Sequence, residues 1–251
     1  NCEPTGHFAH NPEPLPSHLV DLCSRVASEK ADLGIAVDPD VDRLALVCED
    51  GSFFGEEYTL VSVADYVLSL KPGPTVSNLS SSRALRDVTE AHGCTYSASA
   101  VGEVNVTTEM KRTGAVIGGE GNGGVIVPDL HYGRDALIGT ALFLSSLVRS
   151  GKKVTEVRAG LPQYVISKNR IELSDRSLIE KILGEIKKRY ASERITDIDG
   201  VKIDFDRDRM WVHLRKSNTE PIIRVYSEAS DEASAERIAA AVIDIAKEII
   251  G

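Results

Sequence analysis

Three short stretches of this chain hold residue types that could do chemistry together. The first is Asp38-Pro39-Asp40-Val41-Asp42-Arg43, three carboxylates at alternate positions followed by an arginine. Carboxylates this close repel one another unless a cation sits among them. Hard oxygen donors suit Mg²⁺, which keeps positions open for water or a phosphate. Arg43 stands where it could hold a phosphate oxygen beside such an ion. The competing reading is a solvated acidic turn. A Ca²⁺ loop of the EF-hand type is rejected, because its sixth position needs glycine and carries Arg43 here.

The second stretch is Gly118-Gly119-Glu120-Gly121-Asn122-Gly123-Gly124. Glycines let a backbone come close to a ligand, and Glu120 and Asn122 are then the side chains able to bond sugar hydroxyls. Taken alone, a flexible surface turn is the simpler reading. It is not a dinucleotide fingerprint, which should open directly into a helix, whereas Val125-Ile126-Val127 follows. The third stretch is Arg215-Lys216-Ser217-Asn218-Thr219-Glu220-Pro221, with Arg224 just beyond. Two forked guanidinium groups, with donors from Ser217, Asn218 and Thr219, could surround a phosphate. The alternative is a hairpin turn with ordinary surface arginines.

The elements that must position these stretches can be read from periodicity. Apolar spacing predicts a helix over residues 17–29 with Ser17 as its cap, then strands over 33–37 and 44–48 flanking the acidic stretch. Helices are predicted over 56–70, 81–92, 104–112 and 135–148, alternating with strands over 75–78, 95–100 and 115–118 and a glycine loop over 118–124. That alternation argues for an α/β layer with parallel strands. After Gly151 the order changes: a linker near 159–162, a strand over 164–173, a helix over 177–190, strands over 201–205, 211–215 and 222–226, and a last helix from about 232 to 249. Consecutive strands with helices on one face predict a small α+β domain with a mainly antiparallel sheet.

Composition bounds the partners. A chain 42% hydrophobic and 27% charged can bury a core. Its formal net charge of −9 makes it a poor partner for nucleic acid. No stretch approaches the roughly 18 apolar residues of a membrane span. Four scattered cysteines give neither a zinc site nor a disulfide framework, which suits a reducing, cytoplasmic compartment. Asn1-Cys2-Glu3-Pro4 reads as a start inside a longer protein.

In this order, the three stretches resemble the α-D-phosphohexomutase superfamily, which includes phosphoglucomutases, phosphomannomutases and phosphoglucosamine mutases. The acidic stretch is similar to the family's metal loop, usually Asp-Gly-Asp-Ala-Asp-Arg. Glu120 to Gly124 is similar to its sugar-recognition loop, usually Gly-Glu-x-Ser-Gly-His, and Arg215 to Pro221 with Arg224 to its phosphate-binding loop. The likeness runs from about residue 11 to residue 240. It departs at Pro39, Asn122 and Gly124, the latter two in the manner of archaeal-type members. It departs also at Ala100-Val101-Gly102-Glu103, where many members have Lys-Thr-Gly-His, so the general acid or base goes unnamed.

The resemblance implies a fold and an activity. Residues 1–50 would be the end of a second domain with the metal loop, 51–158 a third, sugar-binding domain and 159–251 a fourth, phosphate-binding domain. A first domain, carrying the phosphoserine, is expected outside this chain. The whole protein would then move a phosphoryl group between O1 and O6 of a hexose or hexosamine through a bisphosphate. Asp38, Asp40 and Asp42 would hold Mg²⁺, and Arg43 would act beside the phosphoserine. Glu120 and Asn122 would read hydroxyls, and Arg215, Ser217, Asn218, Thr219 and Arg224 would hold the phosphate that is not reacting. By itself the chain would be an inactive sugar-phosphate-binding module. A further alternative is a Mg²⁺-dependent phosphohydrolase with Asp38 as nucleophile. Glucose, mannose and glucosamine phosphates all stay open.

Overall fold

A computed structural model describes residues 5–173, 175, 177–217 and 220–250. Asn218 and Thr219, two of the expected phosphate ligands, lie outside the described residues. The chain divides into two compact units, Asn1–Pro162 and Gln163–Gly251. Among the described residues no helix is long and apolar enough to cross a membrane.

The first unit opens with a 3-10 turn, Pro16–His18, and helix α1, Val20–Glu29. The helix starts later than its apolar spacing suggested. Ser17 sits inside the 3-10 turn, and Leu19, which caps α1, makes no side-chain capping bond. Strands β1, Leu33–Val37, and β2, Leu44–Cys48, then pair antiparallel in a sheet of their own, Val37 opposite Leu44. Chain length forces this pairing, which lies outside the alternating segment where parallel strands are expected. Six residues, 38–43, cannot make the crossover of a dozen or more that a parallel pair requires.

Helix α2, Glu56–Leu70, is buried on most of its surface, from Tyr58 to Leu68, and forms the centre of the unit. It is followed by β3 (Thr75–Asn78), α3 (Ala84–Ala91), β4 (Tyr96–Ser99), α4 (Glu103–Thr113), β5 (Ile117–Glu120) and β6 (Gly124–Ile126). These strands form one sheet in the order β4-β3-β5-β6. The β3 strand pairs parallel with both β4 and β5, and β6 is antiparallel to β5. Residues 118–124, expected as a loop, are therefore mostly a β5–β6 hairpin with 121–123 as its tip. Helix α5, Ala136–Ser150, is capped by the Asp135 carboxylate, which accepts from the amides of Leu137 and Ile138. Helix α6, Val154–Gly160, was not foreseen; it runs into the first two residues of the expected linker, 159–162, whose end coincides with the boundary between the two units. It is fastened by Arg158, whose Nε donates to the Phe54 carbonyl and whose guanidinium lies 3.3 Å from the centre of the Tyr58 ring.

The second unit is a sheet of β7 (Val165–Glu172), β8 (Arg194–Thr196), β9 (Val201–Phe205), β10 (Met210–Lys216) and β11 (Ile222–Ala229) in the order β7-β11-β10-β9-β8. All its pairs are antiparallel, as the sequence predicts; the short β8 was not foreseen. One face, with Ile203, Val212, Leu214, Ile223 and Val225, packs under helices α7 (Leu178–Arg189) and α8 (Glu232–Ile250). The register stacks the other face into rows: Asp204-Trp211-Glu228, then Lys202-His213-Tyr226, then Arg215-Arg224-Arg170. Trp211, Lys202, Asp204, His213 and Glu228 in the first two rows are all buried.

His213 makes this unit acid-sensitive. Burial pushes its pKa from 6.5 down to about 4, against the bond its Nε2–H donates to the Asp199 carbonyl, while Lys202 repels the charged form. The folded pKa lies below the unfolded one. The stabilisation is therefore complete above pH 6.5 and is lost as pH falls from there toward 4. It amounts to about 3 kcal/mol across the window. Trp211 is the sole tryptophan and lies in this unit, so its fluorescence reports the transition. Urea unfolding followed at Trp211 is expected to show about 2 kcal/mol less stability at pH 5 than at pH 7. In His213→Gln, which keeps a donor for Asp199, most of that pH dependence is expected to vanish; an unchanged dependence would refute the assignment.

Candidate functional site

The acidic stretch closes the β1–β2 hairpin. Asp38 is buried, and its Oδ1 accepts from the amides of Asp42 at 3.0 Å and Arg43 at 2.9 Å. Its Oδ2 accepts from Arg43 Nε at 2.6 Å. Burial alone would raise the Asp38 pKa, but these donors override it and hold the carboxylate down at about 2. Val41 has a left-handed backbone, φ 59°, costly for a β-branched residue. It is fixed there by its N–H donating to the Asp38 carbonyl and by its carbonyl accepting from the Ala136 amide, both at 3.0 Å. The start of α5 thus holds the turn in place.

Asp42 has the opposite fortune. Burial raises its pKa to about 6, helped by the neighbouring carboxylates of Asp38 and Asp40, with Arg134 pulling the other way. Asp42 Oδ1 is buried and accepts no hydrogen bond among the described residues; Arg43 Nε lies 3.7 Å away. Asp38, Asp40 and Asp42 each offer an oxygen, and these oxygens lie within 4.8 Å of one another. An orphaned carboxylate oxygen beside two further hard donors fits a small divalent cation. Glu49, which does stand at the twelfth position from Asp38, lies beyond the far end of β2 and bonds Thr155, so no Ca²⁺ loop is formed.

The β5–β6 hairpin meets this turn. The Leu44 amide, next after Arg43, donates to the Gly123 carbonyl at 3.0 Å. Gly123 has φ 89°, and a Cβ there would overlap the Leu44 backbone, so both conformation and space demand glycine. A Cβ at Gly121 would overlap the Glu57 carboxylate. Glu120 ends β5 and is buried. Its Oε1 accepts from Asn78 Nδ2 at 2.8 Å and from the Gly102 amide at 3.2 Å, and its Oε2 from Arg134 Nη1 at 2.8 Å. Asn78, Gly102 and Glu120 stand at or just past the carboxyl ends of the parallel strands β3, β4 and β5. That edge is where open α/β sheets bind ligands. Asn122 is half-buried, and its Oδ1 turns back to accept from the Gly124 amide at 3.2 Å.

Arg134 joins the two halves, and sequence reasoning missed it. Its Nη2 bonds Asp42, its Nη1 bonds Glu120, and its Nε bonds Glu103 Oε2 at 3.1 Å. One guanidinium therefore ties the acidic turn, the glycine hairpin and the start of α4. The signal was Gly133-Arg134-Asp135, a basic residue directly before a helix cap. Asn78 and Ser81 were missed too: Asn78 Oδ1 accepts from the Ser80 amide and the Ser81 hydroxyl, and Ser81 Oγ accepts from the Gly121 amide at 2.9 Å. Short polar residues in a turn carry no pattern that separates such a role from turn formation.

The structure thus brings Asp38, Asp40, Asp42, Arg43, Glu120 and Asn122 into one cluster of the first unit. Arg43 there is committed to Asp38 and, at 3.2 Å, to Glu13. In the second unit Arg215 and Arg224 are cross-strand partners, and the turn beyond them is closed by the Ser217 amide on the Ile222 carbonyl and the Glu220 amide on Ser217 Oγ.

Three family models match almost the whole chain: phosphoglucomutase/phosphomannomutase alpha/beta/alpha domain II over residues 1–51, alpha/beta/alpha domain III over 55–164 and the C-terminal domain over 169–245. The chain belongs to the α-D-phosphohexomutase superfamily. Among its curated relatives, a probable phosphoglucosamine mutase of Methanopyrus kandleri is 35% identical over all of this chain and 56% of its own length. A phosphoglucomutase/phosphomannomutase of Thermococcus kodakarensis is 38% identical over 94% of this chain and 52% of its own. A phosphoglucomutase/phosphomannomutase family protein of Burkholderia thailandensis, solved by crystallography, superposes with a TM-score of 0.81 at 26% identity, over 96% of this chain and 52% of that one. The chain therefore spans about half the length of the relatives it matches.

Two outcomes test the cluster. Arg134→Gln leaves Asp42, Glu120 and Glu103 facing one another without their shared cation. Thermal unfolding should show a loss of about 2–4 kcal/mol, discounted for partial exposure, or roughly 5–10 °C; a melting point within about 1 °C of the parent would sink the clamp. A divalent cation held by Asp42 would compete there with protons. Because the Asp42 pKa is raised to about 6, apparent Mg²⁺ affinity measured calorimetrically is expected to hold from pH 8 to 7 and to fall about tenfold per unit below 6.

Proposed function

We propose that this chain supplies the metal-binding, sugar-binding and phosphate-binding parts of a phosphohexose mutase that interconverts 1- and 6-phosphates of a hexose or hexosamine. The observation that carries the reading is the orphaned Asp42 oxygen among three carboxylates, where Arg134 ties Asp42 to Glu120 at the end of β5 in the glycine hairpin. In this reading residues 1–50, 51–158 and 159–251 are parts of three domains, and the phosphoserine lies on a domain outside this chain.

Asp38, Asp40 and Asp42 would hold Mg²⁺, which when bound neutralises charge developing on a transferring phosphoryl group. Arg43, anchored through its Nε by Asp38, would turn its guanidinium from Glu13 to a phosphate oxygen beside the ion. Asn122 has its oxygen engaged by Gly124, which leaves its amide N–H groups to donate to a sugar hydroxyl. Glu120 reads a hydroxyl by exchanging a bond that it already makes to Asn78, Gly102 or Arg134. Arg215, Ser217, Asn218, Thr219 and Arg224 grip the phosphate that stays put. Relatives whose names include glucosamine, glucose and mannose mutases support the class of sugar phosphate and leave the choice among the three open.

The phosphohydrolase reading loses support from Asp38 itself. Both its oxygens are occupied by the Arg43 and Asp42 donors, and a strongly held carboxylate of low pKa is a poor nucleophile. Asp40 is exposed, so Asp40→Asn should spare the fold. In the full-length protein it is expected to lower mutase turnover roughly a hundredfold or more, the effect of losing several kcal/mol of charge neutralisation. Turnover equal to the parent would refute the assignment. The 251-residue chain alone is expected to bind glucose 6-phosphate or glucosamine 6-phosphate in calorimetry without interconverting isomers.

A further inference from the structure

The expected phosphate-binding residues all lie on one loop and its two flanking strands. The register of the second unit adds a third strand. Arg224 of β11 is opposite Arg215 of β10 on one side and Arg170 of β7 on the other. Neighbouring strands are about 4.8 Å apart, so the three arginines are rooted in a row about 10 Å long on one face of the sheet. In the next row Tyr226 is opposite Lys168, whose Nζ lies 5.8 Å from the centre of the Tyr226 ring. Lys168, Arg170, Arg224 and Tyr226 line a cavity of about 480 Å³, with Glu220 as its carboxylate.

Like charges directly opposite across strands destabilise a sheet. Here each arginine has one acidic neighbour: Glu172 at 3.0 Å from Arg170, Glu220 at 3.6 Å from Arg224 and Asp199 at 3.7 Å from Arg215. The Arg170 and Arg224 pairs are substantially exposed, and such pairs exchange readily for a stronger anion. Three cations against one carboxylate in a single cavity, on a chain of net charge −9, is a local reversal of sign. The strand spacing lets one tetrahedral dianion accept from two adjacent arginine forks at once.

We propose that Arg170 and Lys168 of β7 are part of the anion site, so that a phosphate monoester dianion is gripped from three strands rather than from the loop alone. The inference rests on reading the C-terminal loop as the phosphate site and extends it to a strand whose sequence carries no family motif. Both side chains are exposed and lie outside the apolar core, so their replacement leaves the fold intact.

The test titrates inorganic phosphate, and separately glucose 6-phosphate, into the whole chain by calorimetry. Arg224→Gln should weaken binding about tenfold or more, Arg170→Gln about three- to tenfold and Lys168→Met about two- to fivefold. Arg112→Gln, on the exposed face of α4, should change nothing. If Arg224→Gln weakens binding and Arg170→Gln and Lys168→Met do not, the role of β7 is refuted while the loop reading stands. If Arg224→Gln also binds like the parent, the loop reading falls and this inference with it. An equal loss in Arg112→Gln would reveal a general charge effect and overturn the proposal.

Discussion

Mutual repulsion among carboxylates is the constraint around which the first unit is organised. Asp38, Asp40, Asp42, Glu103 and Glu120 converge on one edge of the fold, and several have little water to screen them. The structure answers with directed donors. Two amides and a guanidinium hold Asp38. An amide, a side-chain amide and a guanidinium hold Glu120. Asp42 receives Arg134 on one oxygen and, among the described residues, no hydrogen bond on the other. The compensation is thus complete for two of the carboxylates and deliberately partial for a third, and an incompletely satisfied buried oxygen is what a cation site requires.

Strain and glycine placement follow from bringing two hairpins edge to edge at that point. The turn of the first hairpin places Val41 in a backbone conformation that its side chain disfavours, and the first amide of α5 fixes it there. The tip of the second hairpin must pass so close to Leu44 and Glu57 that a Cβ is excluded at Gly123 and Gly121. The glycines therefore serve proximity of one backbone to another as much as proximity to a ligand. This explains why a run expected as a flexible loop is mostly a paired hairpin, with two short strands joined by three tip residues.

In the second unit the same physics runs with opposite sign. Antiparallel pairing gives one face to the apolar core and stacks the other in polar rows, since residues opposite one another share a face. Two rows are buried except for Tyr226, and they pair Trp211 with Glu228 and Lys202 with the Trp211 ring. The third is a row of arginines at the more open end of the sheet. Burying polar side chains on a sheet is tolerable only with partners in register, and it leaves His213 neutral and acid-labile as a consequence.

Much of the fold was legible because its signals are local. Apolar runs marked β1, β2 and β3, helical spacing marked α2, α5 and α8, and three strands in succession announced the antiparallel sheet. The acidic, glycine-rich and basic stretches were legible because their residue types sit side by side in the chain. The errors were local as well: Ser17 looked like a cap, and α6 was hidden by the glycine that ends it and the proline two residues beyond. What the sequence could not determine was long-range. Arg134 lies 92 residues from Asp42 and 14 from Glu120, and Arg170 lies on a strand far upstream of Arg224. Nothing in the neighbourhood of either arginine says which carboxylate or strand it will face. The composition of the site was written in three stretches of chain; its geometry was decided by strand register and by one guanidinium, because pairing and charge compensation act between residues that only folding brings together.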